Sequence, residues 1–135
     1  MIRIARTIYT GAAWLFVVGV LLQVLMAGMV VVSRQISWTN HISLGHLLAV
    51  PLLFMLVTMY LGRFPRQIKT QTWVLFAVYI IQADILIFLR LSAPLLSAFH
   101  PVLALIDFAL GYALARQVMT IAREEKTLVA APEKI

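Results

Sequence analysis

The sequence predicts an all-α integral membrane protein, a four-helix up-down bundle built from two tandem helical hairpins. Three observations lead there. The 135-residue chain is 63% hydrophobic and only 12% charged, far less polar surface than a soluble domain of this size needs. Its apolar residues fall in four long blocks, each near the ~20 residues that cross a ~30 Å hydrocarbon layer. A short pattern also occurs twice: Trp14, Gln23 and His41 have the same spacing as Trp73, Gln82 and His100, W-x8-Q followed by Q-x17-H.

The expected spans are about Thr7–Val32, His41–Leu61, Thr72–Leu91 and Pro101–Ile121. Backbone polar groups in lipid must be satisfied within the segment, so all four should be helices. Arg3 and Arg6 precede the first block as in a signal peptide. The block is too long for an ordinary h-region of ~7–15 residues and is taken as an uncleaved span. The connections Ser33–Asn40, Gly62–Gln71 and Ser92–Phe99 are short, which suits antiparallel neighbours. Pro51 lies inside the second block and should kink it. Pro101 follows His100, where a missing N–H is tolerated at a helix start. Residues 1–121 would form the transmembrane domain and 122–135 a polar cytoplasmic tail.

Two hairpins in tandem would be related by a pseudo-twofold axis along the membrane normal. The plainer explanation of the repeat is an interfacial Trp, with polar residues that merely follow helix ends.

The absence of cysteine excludes disulfides, Fe–S clusters, thiolate zinc sites and covalent CxxCH haem attachment. A net charge of +6 would suit nucleic acid, but the basic residues flank apolar runs, so membrane orientation explains them and no nucleic-acid partner is expected. Arg3, Arg6, Arg63, Arg66, Lys69, Arg116, Arg123, Lys126 and Lys134 fall on the side of both termini, and only Arg34 and Arg90 on the other. Nine against two puts both termini in the cytoplasm of a bacterial-type inner or plasma membrane.

His41 and His100 each open an even-numbered span, and the twofold axis would make them face each other. A neutral imidazole is a good iron ligand, so the pair is the candidate axial set, and the metal ligands, of one non-covalent haem b. Gly45 and Ala104 stand four residues on, on nearly the same helix face, and are small enough for a flat ring to approach. They would equally suit a helix–helix contact. Arg34 and Arg90 are candidates for the anionic propionates, or simple interfacial anchors.

His46 is turned ~140° from His41 and lies ~7.5 Å deeper, so it would not share an iron with it from the same side. Asp84 and Asp107 lie ~10–14 Å inside their helix ends, where a carboxylate is a functional hypothesis by default. With Gln23 and Gln82, these residues outline a possible proton path or quinone-headgroup site. The bland alternative is a protonated acid bonded to backbone or amide, with the glutamines packing between helices for ~0.6–2 kcal/mol.

A Gln in an odd-numbered span with a His opening the next, used twice in four spans, resembles one four-helix half of the haem A synthase family. The segments Gln23–Leu47 and Gln82–Val102 carry the likeness. It implies that His41 and His100 match that family's ligand pair. One half implies one haem at most. The family's substrate half has a glutamate three residues before its first histidine. Here Trp38 stands there, and Ser97 precedes His100 by the same interval, so the hydroxylating activity should be absent. The chain is also similar to small uncharacterised four-span bacterial membrane proteins.

The expected function is a membrane b-type haem protein, either a one-electron carrier or a haem-bearing subunit of a redox complex, with quinone or that larger complex as partner. A stand-alone catalyst is not expected, since no activated nucleophile or phosphate loop is present. The competing expectations are a cofactor-free accessory subunit and a small proton-coupled transporter using Asp84, Asp107 and His46.

Overall fold

The computed structural model describes residues 1–34 and 36–130, without the side chains of 125–130. It is all helical, with four helices long and apolar enough to span a membrane: Ile2–Ser33, Trp38–Leu61, Arg66–Phe88 and Pro94–Glu124. The chain is a multi-pass membrane protein.

The first span is α1 (Ile2–Gly28) continued by a π turn, Met29–Ser33. Arg34 ends it at φ 55°, in the left-handed region that terminates many helices. The second span is α2 (Trp38–Leu47) followed by α3 (Ala49–Leu61), broken at Leu48. Pro51 explains the break, because its ring excludes the carbonyl four residues earlier, that of Leu47. The expected kink is therefore present, one turn ahead of the proline. The Leu48 N–H reaches both the Leu44 and Gly45 carbonyls at 3.2 Å.

The third span is α4 (Arg66–Ile80), a second π turn (Ile81–Ile85) and α5 (Leu86–Phe88). A one-turn helix α6 (Pro94–Ser97) leads into α7, which runs from His100 to Ala130. The tail expected from residue 122 thus begins as a continuation of α7, and 131–135 lie outside the described residues.

Each span packs on its two neighbours: the first on the second and fourth, the third on the second and fourth. This ring is the up-down bundle of two hairpins that the sequence predicts, with the second and fourth spans diagonal to each other.

The buried face of α1 is Ala5, Tyr9, Ala12, Ala13, Phe16, Val17, Gly19 and Val20, a stripe at helical spacing. It meets Leu52, Met55 and Met59 of α3, Leu75 of α4, and Leu114, Ala115 and Val118 of α7 in one cluster. Lipid supplies little drive for apolar helix faces to associate, so close packing must hold them. Gly111 shows how close: a Cβ there would meet the Phe16 ring at 3.0 Å. Within this cluster Tyr9 Oη lies 2.6 Å from Thr72 Oγ1, whose own proton goes to the Ile68 carbonyl at 2.8 Å. The tyrosine is therefore the donor.

The core is one-sided. No residue of α1 beyond Val20, and none of α2 or of either π turn, is buried. The half of the bundle that holds both termini is filled, and the half that holds His41 and His100 is loosely packed.

Candidate functional site

His41 lies one turn inside α2, and His100 is the first residue of α7. Their rings meet in the loose half, with centroids 6.2 Å apart and planes at 68°. Trp38, one turn before His41, packs edge-on against that imidazole at 5.6 Å. His100 Nδ1 lies 2.7 Å from the Gln82 carbonyl oxygen. A carbonyl only accepts, so Nδ1 carries the proton and Nε2 keeps a lone pair. In the other hairpin the Gln23 side-chain amide donates to the His41 carbonyl at 2.9 Å. The two Gln–His pairs that share a spacing in sequence are thus both in contact, one through a ring on a carbonyl and the other through an amide on a carbonyl.

A cavity of about 140 Å³ adjoins the imidazoles, bordered by His41, Ile42, Gly45, His46, Ala83, Asp84, Ile87 and His100. Gly45 has a specific task there. A Cβ on it would stand 2.8 Å from Gln23 Nε2, so the missing side chain is what lets the amide reach His41. The Gly45 carbonyl also accepts the Tyr79 hydroxyl at 2.7 Å. Ala104, its counterpart in the repeat, is half-buried and does not border the cavity. Arg34 and Arg90 are both exposed and also stand outside its lining.

His46 and Asp84 come together across the second and third spans, Nε2 to Oδ1 3.4 Å. Asp107 is placed differently: it is completely buried, and neither of its oxygens has a hydrogen-bond partner. Among the described residues, the other buried side-chain atoms without partners are Gln23 Oε1, His41 Nδ1, Gln71 Oε1 and Gln82 Oε1. All but Gln71 belong to residues singled out by the repeat. Such atoms are rare in packed protein and call for a ligand, an ion or water.

Among the described residues, no group of three or more His, Asp or Glu is placed to hold a metal ion.

Residues 23–89 match DUF6220, a family of unknown function. The DUF6220 segment opens at Gln23 and contains His41, Gly45, His46, Gln82 and Asp84, whereas His100, Ala104 and Asp107 lie beyond it. No curated protein and no solved structure matches the chain.

Tyr79 is the site residue that the sequence did not reveal. It is buried, and its hydroxyl donates to the Gly45 carbonyl. Its only signal was a hydroxyl in the middle of an apolar run, three residues before Gln82.

Proposed function

We propose that this protein binds one b-type haem non-covalently between His41 and His100, and acts as a one-electron carrier or as the haem-bearing subunit of a membrane redox complex. The observation that carries this is the 6.2 Å between the two ring centres. Two imidazoles on one metal need about 2 Å for each metal–nitrogen bond and about 1.1 Å from each nitrogen to its ring centre, roughly 6.2 Å in all.

The surrounding groups support the same assignment. The Gln82 carbonyl fixes the tautomer of His100, which is the usual outer-shell arrangement for a ligating histidine. The Gln23 amide steadies the backbone of His41. The cavity is smaller than the ~300–1,000 Å³ of ordinary ligand pockets, so a macrocycle seated here extends past its rim into the loose half of the bundle. Bound haem supplies reversible one-electron exchange, and the chain's part is to position it and keep it in a medium of low dielectric. The likeness of the paired Gln–His segments to one half of a haem A synthase supports the same ligand pair. Hydroxylation forms no part of the proposal, since Trp38 and Ser97 stand in place of the glutamate.

The nine basic residues on the side of both termini support a cytoplasmic location for the termini, with the histidines toward the outer face. The test is the visible spectrum of the detergent-purified protein. A reduced-minus-oxidised haem signal should appear and should be lost in both His41→Ala and His100→Ala. A colourless protein after expression with ample haem, or a signal that survives both substitutions, refutes the proposal and favours a cofactor-free accessory role.

A further inference from the structure

The His46–Asp84 pair is not used by the ligand assignment above, and its position is unusual. His46 lies two turns inside its span and Asp84 one turn from the end of its own, yet their side chains are 60% and 49% exposed. An imidazole and a carboxylate facing hydrocarbon are costly, so a group with polar atoms must meet them there. The pair itself is loose. At 3.4 Å it is longer than the 2.7–2.9 Å typical of a charge-assisted N–H···O bond, which leaves capacity for a third partner.

The surroundings restrict that partner. The same cavity is bordered by the ligand pair His41 and His100 and by Ile42, Gly45, Ala83 and Ile87; apart from the imidazoles its walls are small or apolar. A ligand that fits must reach the gap between the second and third spans through the bilayer. It must be largely apolar, and it must present an oxygen that both accepts from an imidazole N–H and, when reduced, donates to a carboxylate. From this geometry we infer a binding site for the headgroup of a lipid-soluble quinone. His46 Nε2–H donates to a quinone carbonyl oxygen, and Asp84 accepts from the hydroxyl of the quinol form. Ala83 keeps one wall of the cavity shallow. The inference deepens the redox proposal by naming the class of its lipid-borne partner, and rests on it for its physiological meaning.

The experiment is a titration of the full-length protein in lipid nanodiscs with decylubiquinone, followed by quenching of tryptophan emission, with n-decanol as competitor. Saturable binding is expected, and decanol should not displace it. His46→Leu and Asp84→Leu should each weaken it about tenfold, the worth of one hydrogen bond to a charged group. His46→Gln, which keeps a donor, should weaken it less. Both residues are half exposed, so these variants should fold, and an unchanged thermal unfolding transition in detergent verifies it. Equal binding in the leucine variants, displacement by decanol, or no saturable binding to wild type would each overturn the site. A wild-type protein that binds decylubiquinone but shows no haem signal removes the haem proposal and leaves the quinone site standing. A full haem signal without quinone binding does the reverse.

Discussion

Gly45→Ala is the substitution on which sequence, geometry and proposed function meet most directly. The new methyl would stand 2.8 Å from Gln23 Nε2, closer than carbon and nitrogen tolerate. The amide is the end of a flexible side chain, so it swings away, and its 2.9 Å bond to the His41 carbonyl breaks. Hydrogen bonds between membrane helices are worth about 0.6 to 1.7 kcal/mol. Replacing a helical glycine by alanine returns roughly 0.5–1 kcal/mol. Overall stability should therefore change by less than about 1 kcal/mol. The placement of His41 has no such compensation. If the lost bond is felt in full at the ligand, haem affinity falls about 3- to 18-fold, from the same 0.6–1.7 kcal/mol. The assay is haem transfer to a high-affinity acceptor, paired with thermal unfolding in detergent. Gln23→Leu should reproduce the haem defect. Gly11→Ala, whose added methyl meets nothing within 4 Å, should leave haem affinity alone. Unchanged haem affinity in both Gly45→Ala and Gln23→Leu would refute the idea that Gln23 positions His41.

Other expectations follow from the same contacts. Thr72→Val should destabilise more than Tyr9→Phe, because it strands a buried donor, which costs about 1–3 kcal/mol, whereas Tyr9→Phe leaves Thr72 bonded to Ile68; reversible unfolding in mixed micelles compares them, and the opposite order would mean that the tyrosine is not the donor. Leu52→Ala, at a completely buried site, should cost about 2–5 kcal/mol if the core collapses no better than those of soluble proteins, measured in the same way. Asp107→Asn should be tolerated with little loss of stability, since the carboxyl has no hydrogen-bond partner to lose. Reporter fusions should place both termini in the cytoplasm, and an external C-terminus would overturn the charge-based orientation.

The four spans were legible because bilayer thickness sets a length that composition alone can show. Their ends were less so. The first span begins at Ile2 instead of Thr7, and the second at Trp38 instead of His41, because helices run on through the interface, where polar residues are no obstacle. The last helix likewise continues past Ile121 to Ala130. The paired histidines were legible because rare residue types recurred at one offset. The π turns left no trace in the sequence, since Ile81–Ile85 reads as ordinary helix. The glycine at 45 was noticed for a flat ligand, yet the atom that fills its space is Gln23 Nε2. Spacing shows which residues share a face, but not which neighbour reaches across to it. The contact of His46 with Asp84 was not fixed by spacing, because depth along two helices can be counted but their rotation about each other cannot.

The filling of one half by Leu52, Met55, Met59, Leu75, Leu114 and Val118 makes that end an insulating plug. Such a closely packed section opposes the passage of water and ions along the bundle. Whatever is loaded at the histidine end must leave from that end or sideways into lipid. In the proposed role, an electron donor and acceptor would accordingly meet the protein on the same side of the barrier or within the plane of the bilayer.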